Sequence, residues 1–226
     1  YGNFLSGDGG IPAGGSRAMA FRMAKKARSL GAKIVTGKAV QKILADQAKG
    51  QADGVLLADG TEVFCDYVVP ACDMSVTFGR LLPREKMGSL LRQMYEDRRA
   101  YPVYNTFQTA MAVDSPENPL ETETIWNCPE LIFTKGMSER VTVKSYAYEP
   151  GFAPAGKQLI QTLQGGSEEV YSYWIRLYQD PVAYQRQKSL LAERTREMLE
   201  EHFPALRGRL RVLDAWTPMT YTRYCS

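Results

Sequence analysis

The chain has 226 residues, 44% of them hydrophobic, which is enough for a buried core in one large or two modest domains. The net charge is only +3, with 28 basic and 25 acidic residues interleaved along the chain, so we expect no nucleic-acid-binding surface. One histidine and four cysteines without C-x-x-C spacing exclude a Cys/His metal set, and we expect neither a signal leader nor an apolar run of about 18 residues able to span a bilayer.

Glycines crowd the stretch GDGGIPAGGSRAM, just before the first predicted helix. Gly7 and Gly9 fit the register of the G-x-G-x-x-G dinucleotide fingerprint, but Pro12 takes the place of its third glycine and no strand-like run precedes it. The stretch therefore predicts a turn that leads into a helix capped by Ser16, with free N–H groups suited to an anion or a carbonyl oxygen. The alternative is that the glycines only supply backbone angles that other residues resist.

A helix and a small β-meander come next. Apolar residues recur with helical spacing over residues 16–30, and Gly31 supplies the stop. Asp59-Gly60 predicts a tight hairpin turn between two strands. Residues 67–71 are apolar on both faces, so we expect them in a buried sheet. The strand-like runs cover residues 33–37, 39–46, 54–59 and 62–71.

The second half predicts an antiparallel sheet with helices. Residues 87–95 have the spacing of a helix that packs one face on a core. One later helix is predicted to be capped by Ser167, and the next by Asp180 with Pro181 at its first position. The strand-like runs, each bounded by Pro, Gly, Asn or Ser, cover residues 103–113, 131–135, 140–149 and 157–165.

These elements predict a mixed α/β (α+β) fold. The expected domains are a helix with a β-meander over residues 1–79, an antiparallel sheet covered by helices over residues 80–216, and a return segment over residues 217–226.

The order of the motifs resembles the phytoene desaturase and carotenoid isomerase family, within the amine-oxidase-like flavoproteins. Its P-x-G-G turn is matched by Pro12, Gly14 and Gly15, its V-x-x-I strand begins at Val40, and a G-V-x-L-x-D-G hairpin follows. Downstream, "YAYEPGFAPAGKQLIQTL" is similar to the family's D-P-x-x-A-P-x-G segment, with Glu149 in place of the aspartate, and "TPMTYTRY" is similar to T-P-x-T-x-x-R-Y. The likeness is compatible with a desaturase, an isomerase or a saturating reductase.

The resemblance implies a FAD-dependent oxidoreductase, in which a hydride passes between the flavin and a carbon of a lipophilic isoprenoid or polyene. It places the turn of Pro12, Gly14 and Gly15 near the flavin and substrate, the backbone of Val40 at the adenine, and the backbone of Ala71 beside the cofactor. The family's G-x-G-x-x-G segment and a second flavin segment are missing from this sequence. We therefore expect a fragment of a longer parent, with FAD bound in the parent and absent from the fragment. The resemblance assigns no catalytic residue and no metal ion.

Aromatic residues are frequent on the predicted sheet, where a long apolar polyene would need such a lining. We predict substrate contacts from Tyr104, Phe107, Trp126 and Phe133, with ordinary core packing as the alternative. Because lipophilic substrates are stored in membranes, we expect a cytoplasmic protein with peripheral membrane contact. Two further functions stay open, namely a binding or assembly module without redox turnover and a flavin amine oxidase.

Overall fold

The computed structural model describes residues 12–46, 50–114, 120 and 122–225. They form two compact units, which we call the sheet unit (residues 12–32 and 103–220) and the meander unit (residues 33–102 and 221–225). The first helix thus groups with the long sheet. The domain boundaries at residues 79 and 216 stay a prediction, and Gly7 and Gly9 lie outside the described residues.

The meander unit is built on an antiparallel three-stranded sheet with strand order β1-β2-β3. Its strands are β1 (Val40–Asp46), β2 (Gln51–Leu57) and β3 (Glu62–Phe64). The predicted hairpin between β2 and β3 is confirmed, since Gly60 has φ +84° and the N–H of Thr61 donates to Asp59 at 3.1 Å. A small core forms where Ile43, Val76 and Leu81 are buried together.

Two strands predicted for this unit are wrong. Residues 33–37 and 67–71 have no strand structure, and Tyr67 and Val69 are each 87% exposed. Apolar character on both faces predicts a strand only if other strands or helices cover both faces, and no strand of the described residues pairs with either segment.

Short helical pieces complete the meander unit. They are α2 (Met74–Val76), a π-helical turn (Thr77–Leu81), a 3₁₀ turn (Arg84–Lys86) and α3 (Ser89–Glu96). Asp73 caps α2, because its side chain accepts a hydrogen bond from the N–H of Ser75 at 2.7 Å. The helix predicted over residues 87–95 is confirmed, but its apolar face is not packed on a core in the described structure, since Leu90 is 64% exposed and Met94 41%.

The sheet unit contains an antiparallel five-stranded sheet with strand order β5-β6-β7-β4-β8, which confirms the predicted sheet. The strands are β4 (Asn105–Val113), β5 (Glu123–Asn127), β6 (Met137–Ser145), β7 (Gln158–Gly166) and β8 (Leu210–Trp216). The strand predicted over residues 131–135 is wrong, because Pro129 begins a 3₁₀ turn, Pro129–Leu131, at that point. The sequence prediction also lacked β5 and β8.

Helices cover one face of this sheet. They are α4 (Glu168–Leu177) and α5 (Pro181–His202), and a further helix, α6 (Pro218–Cys225), follows β8. Trp174 of α4 and Leu199 of α5 are fully buried in this layer. The predicted cap of α5 is confirmed, because Asp180 accepts hydrogen bonds from the N–H groups of Val182 and Ala183 at 3.0 and 3.1 Å. The side chain of Ser167 makes no such cap for α4 and donates instead to Glu169.

The first helix, α1 (Gly15–Ser29), begins one residue earlier than predicted. Its N-cap is Gly14, so the predicted cap at Ser16 is wrong. The stop at Gly31 is confirmed by a left-handed φ of +90°. No residue of α1 is buried among the described residues, although its sequence is amphipathic, and Phe21 and Met23 are 62% and 64% exposed.

Candidate functional site

A tight turn at residues 12–15 leads into α1. The N–H of Gly15 donates to the carbonyl oxygen of Pro12 at 2.7 Å, and Gly14 and Gly15 have φ +74° and +76°. Side chains rarely tolerate this left-handed region, whereas glycine enters it without a steric penalty. Two consecutive left-handed residues account for the pair of glycines through backbone conformation alone.

The turn lies against the segment that follows β6. The N–H of Gly14 donates to Oε2 of Glu149 at 3.2 Å. A Cβ atom on Gly15 would lie 3.0 Å from Cζ of Phe152, which belongs to a 3₁₀ turn at Pro150–Phe152. Close packing within the chain therefore gives Gly15 a second reason to lack a side chain.

The sheet face opposite α4 and α5 carries a line of hydrogen-bonded polar side chains, which we call the polar row: Thr106, Gln108, Tyr146 and Gln161. The hydroxyl of Tyr146 donates to Oε1 of Gln161 at 2.6 Å, and Nε2 of Gln161 donates to Oε1 of Gln108 at 2.6 Å. Nε2 of Gln108 then donates to the hydroxyl of Thr106 at 3.0 Å. The row crosses from the end of β6 over β7 to β4, and its members are only partly buried.

The turn and this sheet face together form a cavity of about 520 Å³, which we call the turn cavity. One wall consists of Pro12 and residues 14–17. The other wall consists of Ala110, Tyr146, Phe152, Leu159, Gln161 and Trp216. All of these residues belong to the sheet unit, so the cavity is complete within it. It joins apolar surface, aromatic rings and hydrogen-bonding groups, as ligand sites for small molecules commonly do.

Aromatic rings border the turn cavity on the side of residues 146–152. The ring centroid of Tyr146 lies 5.4 Å from that of Phe152 and 6.2 Å from that of Tyr148. Burial raises the pKa of Tyr146, and the charges of Tyr148 and Glu123 raise it further. Tyr146 is therefore a neutral phenol at neutral pH and a hydrogen-bond donor to Gln161.

The structure brings together three of the five residues predicted to contact the cofactor. Pro12, Gly14 and Gly15 share one wall of the turn cavity. Val40 begins β1, half-buried, and Ala71 lies in an exposed loop, both in the meander unit.

The four aromatic residues predicted to contact substrate lie elsewhere in the sheet unit. Tyr104 is 86% exposed before β4, and Phe107 is buried with its ring stacked on Trp174 at a centroid distance of 6.1 Å. Phe133 packs edge-on against Trp174 at 5.7 Å, and Trp126 stacks on His202 at 4.7 Å. The lining of the turn cavity includes none of the four.

Sequence reasoning did not select the residues of the sheet wall as a site. Alternation of side chains along the strands could have placed two of them on one face, since Gln161 and Ala110 are directly opposite each other in the pairing of β7 with β4. Phe152 and Trp216 enter the cavity from a 3₁₀ turn and a strand end, and only the folded chain brings those positions close to residues 12–15.

The chain belongs to the family of flavin-containing amine oxidoreductases, whose pattern it matches over residues 3–224. Within this family it is similar to phytoene desaturase of Fusarium fujikuroi, with 34% identity over 73 residues that cover 32% of this chain and 13% of that protein. It is also similar to the chloroplastic prolycopene isomerase of Daucus carota, with 27% identity over 227 aligned positions that cover 96% of this chain and 35% of that protein. The resemblance to phytoene desaturase-like members of the amine oxidase superfamily is confirmed.

A solved structure shares the fold. The PF1083 protein from Pyrococcus furiosus superposes with a TM-score of 0.60 at 18% identity, covering 90% of this chain and 42% of that one. The mixed fold of helices and antiparallel sheets is thereby confirmed. The chain spans 35% or less of the length of the two curated relatives.

The described residues contain neither a candidate membrane span nor a candidate metal site. None of the helices described there combines the length and the apolar character that crossing a bilayer requires. The same residues include no group of three or more His, Cys, Asp and Glu side chains placed to hold a metal ion.

Proposed function

We propose that the chain forms the substrate-binding part of a FAD-dependent oxidoreductase that acts on carbon–carbon bonds of a lipophilic isoprenoid or polyene. The turn cavity is the observation that carries the proposal, because it joins the P-x-G-G turn to a sheet wall with apolar and aromatic surface. The names of the relatives support the substrate class, since phytoene and prolycopene are both polyenes.

The wall formed by the turn suits a flat cofactor ring. The turn presents mainly backbone and the rigid apolar ring of Pro12 to the cavity, while the Cβ directions of Gly14 and Gly15 point at Ala18 and Phe152 of the chain itself. We propose that Pro12, Gly14 and Gly15 hold the flavin ring, and that the backbones of Val40 and Ala71 contact its adenine and neighbouring parts. When bound, the flavin supplies the hydride acceptor or donor of the reaction.

The chain's own residues would bind and orient the substrate. Leu159, Phe152 and Trp216 offer the apolar surface along which a conjugated chain can lie. Gln108 and Tyr146 fix the amide of Gln161 through hydrogen bonds, so that the polar part of the wall is ordered before a ligand arrives. Rigid placement of a substrate in a partly dry cavity is the main protein contribution to flavin-dependent hydride transfer.

Retention of FAD tests whether the chain, proposed to bind substrate, depends on another segment to bind the cofactor. We propose that the 226-residue chain alone loses FAD on gel filtration, because it lacks the G-x-G-x-x-G segment that grips the pyrophosphate. The protein encoded by the complete reading frame should retain FAD and show flavin absorbance. Stoichiometric flavin on the 226-residue chain would contradict this part of the proposal.

Two alanines of β4 provide a matched test of the cavity. Ala110 lines the turn cavity and is 8% exposed, whereas Ala112 is 6% exposed on the same strand and lies outside the lining. In the complete protein, Ala110→Leu should lower turnover of a polyene such as phytoene or prolycopene without lowering flavin content. Ala112→Leu should leave turnover nearly unchanged. The two variants are compared when their melting temperatures are equal, so that a difference in stability does not explain a difference in turnover. Equal turnover in both variants would contradict the site.

Substrate comparison separates the alternatives. Oxidation of an amine without turnover of polyenes would favour a flavin amine oxidase, and flavin binding without any turnover would favour a binding or assembly module.

We also propose a cytoplasmic protein in peripheral contact with membranes, where a lipophilic substrate is stored. Flotation of the complete protein with phospholipid vesicles tests that contact.

A further inference from the structure

The turn cavity contains polar groups whose remaining hydrogen-bonding capacity a hydrocarbon ligand would leave unused. Ala110, Leu159 and Trp216 make the sheet wall apolar, but Gln161 and Tyr146 lie in the same wall. A ligand that covers hydrogen-bonding groups without replacing their water loses affinity, since desolvated and unpaired groups are unfavourable. These two polar groups among apolar neighbours therefore indicate that the ligand carries a hydrogen-bonding group at the end that lies near Gln161 and Tyr146.

The hydrogen bonds of Gln161 leave part of its capacity unused. Its amide has two N–H donors and an oxygen that can accept two hydrogen bonds, and Gln108 and Tyr146 take one of each. Tyr146 donates its only hydrogen to Gln161, and its oxygen can still accept. Within the described part of the chain, no side chain takes up the second amide N–H of Gln161. A donor and two acceptors thus remain available at one place in the wall.

A second polar pair on the same strands shows the contrast. On the helix-covered face, the hydroxyls of Thr109 and Thr162 bond to each other at 2.6 Å, and both residues are at most 3% exposed. That pair is closed to ligands and is explained by packing alone. The polar row is only partly buried and borders a cavity, so its spare donor and acceptors can be reached.

We infer that the turn cavity selects a polyene that carries a hydroxyl group at the bound end over the matching hydrocarbon, with Gln161 as the residue that recognises the hydroxyl. A hydroxyl can accept from the amide N–H of Gln161 and donate to the oxygen of Gln161 or Tyr146. Gln108 and Tyr146 act as positioning residues that fix the amide plane. The inference rests on the proposed function for the lipophilic character of the ligand and adds the hydroxyl to it.

A pair of probes that differ only in the hydroxyl tests the inference: all-trans-retinol and its deoxy hydrocarbon, axerophthene. Quenching of tryptophan fluorescence by the polyene reports binding to the 226-residue chain, because Trp216 lines the turn cavity. The experiment requires neither flavin nor turnover. The wild-type chain should bind retinol with a Kd about fivefold lower than that of axerophthene, as expected for one net hydrogen bond.

Three variants separate recognition from general damage. Gln161→Leu should raise the Kd for retinol about fivefold and leave the Kd for axerophthene unchanged or lower, because leucine adds apolar surface. Tyr146→Phe should change the Kd values for retinol and axerophthene in the same directions as Gln161→Leu does, by a smaller factor. Gln185→Leu makes the same side-chain change as Gln161→Leu on the exposed surface of α5, and should alter neither Kd.

The outcomes distinguish this inference from the proposed function. A higher Kd for retinol with an unchanged or lower Kd for axerophthene in Gln161→Leu supports the hydroxyl preference, since a purely structural role of Gln161 would raise both Kd values alike. Equal affinities in the wild-type chain, or parallel losses in the variant, overturn the preference and leave the lipophilic site in place. Absence of quenching by both probes overturns the turn cavity as a polyene site, and with it this inference. Flavin content and turnover of the complete protein test the proposed function separately.

Discussion

Replacing Gly15 with alanine tests whether the ring of Phe152 packs against the turn of residues 12–15. Gly15 has φ +76°, where a residue with a Cβ atom loses about 1–2 kcal/mol. The new Cβ would also lie 3.0 Å from Cζ and 3.2 Å from Cε1 of Phe152, so the ring has to shift. Forcing the ring off its rotamer adds about 0.5–1.5 kcal/mol. We expect Gly15→Ala to lower the free energy of unfolding by about 1.5–3.5 kcal/mol in total.

Gly156 supplies the matched control in the same unit. It has φ +74°, and a Cβ atom there would meet nothing within 4 Å, so Gly156→Ala has the backbone penalty alone. In urea unfolding, Gly15→Ala should therefore lose about 1 kcal/mol more of the free energy of unfolding than Gly156→Ala. The m-value, which is the slope of that free energy against urea concentration, should not change. The excess should shrink when Phe152→Leu is present, as a double-mutant cycle measures. Equal losses in the two glycine variants would refute the packing of Phe152 against the turn.

Three further predictions concern stability elsewhere in the chain. Thr109→Val should lower the free energy of unfolding by about 1–3 kcal/mol, because the buried hydroxyl of Thr162 loses its partner, and adding Thr162→Val should restore most of it. Asp180→Ala should cost about 1 kcal/mol by removing the cap of α5, as thermal unfolding can check. Hydrogen bonds from Ser75 lower the pKa of Asp73, so the stability that Asp73 contributes is present above about pH 4 and is lost as pH falls through the lowered pKa. Acid titration of Asp73→Asn should show less of this loss than the wild type.

Local sequence rules predicted the elements whose structure is decided locally. The cap at Asp180, the stop at Gly31 and the hairpin at Asp59-Gly60 each depend on a few neighbouring residues, and all three are confirmed. Three of the four strand-like runs after residue 103 form strands of the antiparallel sheet, as their bounding turn residues predicted.

Predictions that depended on distant partners were less successful. Residues 33–37 and 67–71 have the apolar character of strands, but a strand forms only where another strand pairs with it. The spacing of apolar residues in α1 is that of an amphipathic helix, and the described residues bury none of its side chains. Hydrophobic periodicity states which face can be buried, whereas the partner that buries it lies elsewhere in the chain or outside the described structure.

The candidate site shows the same division. The turn of Pro12, Gly14 and Gly15 was predicted from a short motif, and the structure places it in a cavity wall. The opposite wall could not be predicted from composition, because Phe107 and Gln108 are consecutive on β4 and lie on opposite faces of the sheet. Counting aromatic residues therefore selected Phe107 and Phe133 on the core side, whereas the sheet wall of the turn cavity combines alanine, leucine and glutamine with three aromatic rings.

Gly14 and Gly15 have two explanations, a contact with the flavin and a role in backbone conformation and packing, and substitution of the glycines does not distinguish them. A Cβ atom on Gly14 would lie 2.9 Å from Cβ of Ala18, and one on Gly15 would meet Phe152, so larger side chains at either position perturb the fold whether or not a flavin is bound. Lost flavin in such variants would not identify a flavin contact. Ala110 avoids this confusion, because it lies within β4 and its Cβ atom already belongs to the cavity wall. A loss of turnover in Ala110→Leu with flavin content and melting temperature preserved therefore reports on the ligand space itself, which substitution of the glycines cannot do.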